Sequence, residues 1–163
     1  MSETIVSMRN ICKTFPGVKA LDGVHFELHS GEVMALLGEN GAGKSTLMKV
    51  LSGVYTRDSG TLEIFGQEYG DLSPKQAQRL GVAIIHQELN MCPHMTVAEN
   101  MFLGREVKKG FLIDRKAMED TAQAILSDLK IDISPSETVG NLPVSKQQMV
   151  EIAKALSLNA RIL

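Results

Sequence analysis

The sequence predicts an α/β fold, and three observations carry the prediction. Strand-period and helix-period hydrophobic patterns alternate through the first half of the chain, a short apolar run leads directly into a glycine-rich turn, and an amphipathic segment follows that turn. At 163 residues with 44% hydrophobic content, the chain is sized for one globular domain.

The elements follow in order. Val24, Phe26 and Leu28 alternate with His25, Glu27 and His29, the period-2 pattern of a half-buried strand that runs into a turn at Ser30-Gly31; Ile5 to Phe15 is its partner. Val33 to Leu37 is continuously apolar and ends at Gly38, as a central strand covered on both faces would be. Beyond the glycines, Leu47, Val50 and Leu51 share one helical face, and Gly53 is placed to stop that helix in a left-handed conformation. Thr61 to Phe65 predicts a short strand. Ser73-Pro74 opens a helix with a cap and a first-turn proline, and Val82 to Ile85 predicts another buried strand. From Met95 the pattern turns helical. Thr96 with Glu99 forms a capping box, and a longer helix after Asp114 directs Ala122, Ile125, Leu126 and Leu129 inward. A last helix places Met149, Ile152, Ala153 and Leu156 on one face and breaks at Asn159, after which Arg161 to Leu163 begins a strand.

Composition narrows the function classes. A formal charge of -2 from interspersed acidic and basic residues argues against a broad nucleic-acid footprint, and Lys108-Lys109 reads as a solvated loop. Met1 to Asn10 lacks the basic start and apolar run of an export signal, and no stretch approaches about 18 apolar residues. Cys12 and Cys92 lie in unrelated segments and belong to no Cys-x-x-Cys pair, which fits free thiols.

One motif carries chemistry. Gly38-Glu39-Asn40-Gly41-Ala42-Gly43-Lys44-Ser45 has a glycine, four residues, then glycine, lysine and a hydroxyl residue, the spacing of a phosphate-binding P-loop. Backbone N–H groups that turn inward around an anion need residues without a β-carbon, which Gly38, Gly41 and Gly43 supply. The positive end of the following helix faces the phosphates, Lys44 adds a mobile charge across the β and γ groups, Ser45 offers a hydroxyl to Mg²⁺, and Thr46 is available to the α-phosphate. A glycine turn that binds nothing is the alternative. A chance match in a chain this long is on the order of half a per cent.

P-loops serve kinases, GTPases and transport ATPases, so other segments must decide the task. Phe15 to Leu21, His86-Gln87-Glu88-Leu89-Asn90, Thr96 to Arg105 and Gln147 to Leu156, together with the loop, resemble the ABC ATPase family from end to end. Within it the chain looks most like the N-terminal half of the tandem monosaccharide-importer ATPases of the ribose, galactose and xylose type. The resemblance implies a P-loop NTPase core with a small antiparallel β-subdomain, at about 1–87 with the core, and a helical subdomain with a signature-like region at about 88–158. It implies ATP and Mg²⁺ as cofactors, with Phe15 stacked on adenine, Val18 beside the ribose or base, and Gln87 on Mg²⁺ and the attacking water. The implied partners are a second ABC ATPase half, membrane permease subunits and, indirectly, a periplasmic sugar-binding protein, at the cytoplasmic face of the inner membrane and without nucleic acid. Leu89 to Leu103, with Met91, Met95, Met101, Phe102 and Leu103, is the candidate surface for the permease; Phe15 as a β-subdomain core residue and the methionines as plain core are the alternatives.

Two departures matter. The usual Leu-Ser-Gly-Gly-Gln signature is replaced by Leu142-Pro143-Val144-Ser145-Lys146, where Pro143 has neither hydroxyl nor N–H, although Ser145 with Gln148 is placed to cap the helix. In addition, the family's Mg²⁺-binding aspartate and base glutamate would follow Leu163. The chain therefore reads as truncated before that strand, binding nucleotide weakly and hydrolysing almost nothing, since loss of a general base lowers rates about 10² to 10⁴-fold. For the complete protein the expectation is ATP-driven monosaccharide import; a ribosome- or DNA-associated ABC ATPase and a P-loop small-molecule kinase are the alternatives.

Overall fold

The structure, a computed structural model, describes residues 3–163; Met1 and Ser2, where the reading of the chain's start begins, lie outside the described residues. The chain forms two compact units, Met1–Val82 and Ala83–Leu163.

The first unit is built on a four-stranded antiparallel sheet of β1 (Thr4–Phe15), β2 (Val18–His29), β3 (Ser59–Ile64) and β4 (Gln67–Tyr69), in the order β2-β1-β3-β4. The central strand β1 is the more deeply covered, burying Val6, Met8 and Ile11, with Leu62 and Ile64 of β3 beside it. The outer strand β2 keeps its alternation and stays half-buried at Val24, Phe26 and Leu28. Helix α1 (Lys44–Leu51) buries Leu47, Val50 and Leu51, and Gly53 ends it at φ 73°. A β-carbon at Gly53 would lie 2.7 Å from the Leu72 carbonyl oxygen, so glycine is required there by packing as well as by backbone angle. Helix α2 (Pro74–Arg79) carries the expected proline start and a complete capping box between Ser73 and Gln76.

The segment 33–37 does not form the predicted central strand. Val33 is 99% and Leu37 91% exposed, and no strand among the described residues pairs with the run. The reason is physical: a central strand is stabilised by ladders on both sides and layers on both faces, and an apolar run encodes only the demand for them. Val82–Ile85 likewise joins no named strand among the described residues; the Ala83 N–H donates to the Ile162 carbonyl at 2.9 Å.

The second unit is helical. Helix α3 (Val97–Met101) has the Thr96–Glu99 capping box, α4 (Arg115–Asp128) is capped by Asp114, and α5 (Val144–Leu156) completes the layer. A two-stranded hairpin, β5 (Lys108–Lys109) with β6 (Leu112–Ile113), stands between α3 and α4 in the chain. The core contains Val97, Met101, Met118, Ala122, Leu126 and Val150. Leu129 is at the rim rather than inside, because the helix ends at it. The inward face of α5 is Val150 and Ala153; Met149 and Leu156 are substantially exposed, so the buried stripe lies to one side of the predicted one. Asn159 takes φ 52° and ends the helical path as expected.

Candidate nucleotide site

The glycine loop lies at the start of α1. Gly41 and Gly43 have φ 88° and 82°, conformations that residues with a β-carbon rarely adopt. Gly43 has a second constraint: a β-carbon there would sit 2.4 Å from the Ala20 carbonyl oxygen and 2.9 Å from a Leu21 methyl group. The loop therefore packs against the β2 backbone at a point where only hydrogen fits.

Gly43 also occupies the N-cap of α1, which receives no side-chain cap and has no acidic residue in its first turn. The first N–H groups of a helix lack intrahelical partners and carry the positive end of its dipole, so this end is a donor array facing outward. Lys44 Nζ folds back and donates to the carbonyls of Gly38 at 2.6 Å and Glu39 at 2.8 Å. An ammonium group held only by neutral carbonyls is able to exchange them for charged acceptors such as phosphate oxygens. Ser45 is exposed on the same turn, Thr46 is half-buried, and Glu39, Asn40 and Ala42 complete the loop. A small-residue cradle, an uncapped donor end and a mobile ammonium group fit a triphosphate, and the Ser45 hydroxyl is of the donor type that suits Mg²⁺.

Phe15, at the end of β1, is half-buried. Its ring meets Tyr55 edge-on at 5.2 Å and 68°, and Lys13 Nζ lies 5.6 Å from its centroid. Asp58 braces this strand end, accepting from Lys13 Nζ at 3.0 Å and from the Thr14 N–H at 2.6 Å. Those two donors hold its carboxyl below the usual aspartate range, the lysine contact first. Val18 opens β2 and is 57% exposed. Sequence reasoning missed Tyr55 and Asp58. The available signal for Tyr55 was its position two residues past Gly53, where a left-handed glycine reverses the chain; its N–H and that of Val54 both return to the Lys49 carbonyl. Nothing comparable announced Asp58.

Gln87 is exposed on the extended segment of the second unit, and His86 beside it is half-buried. In the candidate permease surface, Met101 and Phe102 are buried in the helical core and are not available for docking; the inner side of a five-residue helix is consumed by α4 and α5. Met91 packs partly on that core, Met95 is half-buried, and Leu103 is exposed. The expected Ser145–Gln148 cap is absent as well. Helix α5 starts two residues earlier, with Pro143 at its N-cap, so Ser145 lies inside the first turn and Gln147 Nε2 donates instead to the Leu142 carbonyl at 2.9 Å.

The fold and the glycine loop define a P-loop nucleotide-binding protein. The profile of the ABC transporter family matches residues 21–163, and the chain belongs to that family. It is 55% identical over 159 residues to the ribose/galactose/methyl galactoside import ATP-binding protein 1 of Agrobacterium fabrum, and 52% identical over 161 residues to the protein of that name from Burkholderia lata. These alignments cover 98% of this chain in both cases, but 32% and 31% of the relatives, so the chain spans about a third of the length of the curated proteins it matches. Among solved structures, a nucleotide-free ATP-binding cassette from an ABC transporter superposes with a TM-score of 0.83 at 29% identity, covering 96% of this chain and 66% of that one. The ADP conformation of an ATP-binding cassette of an ABC transporter gives the same TM-score and identity.

Proposed function

We propose that the chain is the nucleotide-holding part of an ATP-binding subunit that couples ATP hydrolysis to the import of a monosaccharide through a membrane permease. The observation that carries the reading is the uncapped α1 end with Gly43 pressed on Ala20 and Lys44 folded over the loop, a pre-shaped receptor for a triphosphate. The sugar class comes from the names of the relatives, which agree with the resemblance in Phe15 to Leu21 and Gln147 to Leu156.

Each residue then has a role. The N–H groups of the loop from Gly38 to Gly43 would hold phosphate oxygens, Lys44 would bind the β and γ groups and Thr46 the α-phosphate; Ser45 would offer its hydroxyl to Mg²⁺, and Gln87 would offer a side-chain oxygen to it. Phe15 would stack its ring on adenine, and Val18 would border it. MgATP, when bound, supplies the phosphoanhydride whose cleavage drives the cycle. The chain's own contribution is to fix the phosphates and neutralise their charge, the main terms in phosphoryl transfer. The Pro143 signature has no hydroxyl for the opposite half's γ-phosphate, so one of the two composite sites of a tandem pair does most of the turnover.

The protein reconstituted with its permease tests the reading: ATPase activity should rise severalfold when a monosaccharide-loaded binding protein is added, and Lys44→Ala should abolish the rise. Activity stimulated instead by ribosomes or by a small-molecule phosphate acceptor would replace it.

A further inference from the structure

The hairpin β5–β6 presents an unusual surface. Phe111, Leu112 and Ile113 are consecutive, apolar and exposed, with Phe111 as open as in an extended peptide at 106%. Isolated exposed apolar residues are ordinary, but a run of three on a protruding hairpin is not. The hairpin is well defined locally. Lys109 pairs with Leu112 and Lys108 with Ile113 across a two-residue turn, and Gly110 takes φ 66° at its first central position, where a tight hairpin turn needs a left-handed residue. The Asp114 N–H donates to the Val107 carbonyl at 2.8 Å and closes the base.

The pairing register distributes charge and oil in a specific way. Cross-strand partners share a face, so each face of the ribbon couples one lysine with one aliphatic residue, and Phe111 occupies the tip ahead of both. Neither face is covered. Of the neighbouring acids, Glu106 accepts from the Gly104 N–H at 2.9 Å and also feels the charge of Lys108, and Asp114 caps α4 through the Ala117 N–H; no ion pair ties Lys108 or Lys109 among the described residues. The tip thus carries two positive charges behind an apolar wedge.

We propose that this hairpin inserts end-on into the headgroup region of an anionic lipid bilayer, with Phe111 and Leu112 in the acyl boundary and Lys108 and Lys109 on lipid phosphates. Charge complementarity selects the occupant. A protein groove would accept the apolar tip, but lysines immediately behind it on both faces suit a laterally continuous negative surface, where the long stems allow the ammonium groups to stay at headgroup level. The inference rests on the reading that the protein works at a membrane, yet it concerns lipid and not the permease.

Vesicle co-sedimentation of the protein tests it, using phosphatidylcholine with and without phosphatidylglycerol. Binding should require phosphatidylglycerol and fall with salt. Lys108→Glu combined with Lys109→Glu should weaken it by at least about tenfold, from roughly 1 kcal/mol per basic residue at such a surface. Phe111→Ser should weaken it at both low and high salt. A matched charge reversal on α2, Lys75→Glu with Arg79→Glu, should leave it unchanged. Circular dichroism confirms folding of each variant; the substituted side chains lie outside the helical core, so the spectra should match. Equal binding to neutral vesicles, no binding at all, or hairpin variants that bind like the unmodified protein would overturn the proposal. So would hairpin variants that keep vesicle binding and lose only a detergent-solubilised permease. These vesicles contain no permease, so failure here leaves the importer reading standing, and failure of permease-stimulated ATPase activity leaves the hairpin result standing.

Discussion

Helix α1 and helix α3 begin in opposite ways. The start of α3 is closed: Thr96 Oγ1 accepts from the Glu99 N–H at 3.1 Å, and a Glu99 carboxylate oxygen accepts from the Thr96 N–H at 3.0 Å. The start of α1 is open, with glycine at the N-cap, no side-chain acceptor and no acid in the first turn. Closed ends satisfy their donors within the chain and contribute stability; an open end leaves its donors for an external anion. Helices α2 and α4 follow the closed pattern through Ser73 and Asp114; α5 also lacks a side-chain cap, but it starts at Pro143, and only α1 pairs an open end with a glycine loop and a folded-back lysine.

Substitutions break the comparison in graded steps. Apart from loss of Lys44 itself, the largest effect is expected for Gly43→Ala, whose new methyl group must displace the Ala20 carbonyl and hold φ near 82°. Strain of about 1–3 kcal/mol falls directly on the loop and should cut nucleotide affinity on the order of tenfold to a hundredfold in titration calorimetry. Thr96→Ala opens the closed end: it should lower the unfolding free energy by about 1 kcal/mol in a denaturant titration while leaving ATP affinity unchanged. Phe15→Ala is of similar size but falls on the ligand, weakening ATP by about 0.5–1.5 kcal/mol while tripolyphosphate binds as before. Equal weakening of both ligands would assign Phe15 to the packing of the β1 end.

The same contrast explains what the sequence revealed. Loop, caps and helix stops are written in contiguous residues: Gly38 to Ser45, Ser73-Pro74, Thr96 with Glu99, and Gly53 all appear in the structure where their local chemistry places them. Strand β2 was legible because its alternation names its own buried face, whereas the antiparallel β-subdomain around it was implied by the family resemblance. Segments 33–37 and 82–85 were not, since a strand's existence depends on partners elsewhere that no local pattern specifies. The inner face of α5 was shifted for a related reason: Met149 and Val150 are adjacent and both apolar, and only the neighbouring helices decide which one is covered. The Gly38 to Ser45 motif falls at the start of α1, as its local pattern implies, whereas the Tyr55 edge and the Asp58 brace arise from long-range packing onto the β1 end.

The central claim, that the open end of α1 with Lys44 captures a triphosphate, is tested most directly by calorimetry of MgATP binding to the protein and to Lys44→Ala. Loss of about 1.5–3 kcal/mol of affinity is expected, because the ammonium group exchanges the Gly38 and Glu39 carbonyls for phosphate oxygens in a charge-assisted contact. Affinity unchanged by the substitution in a folded protein would contradict the account.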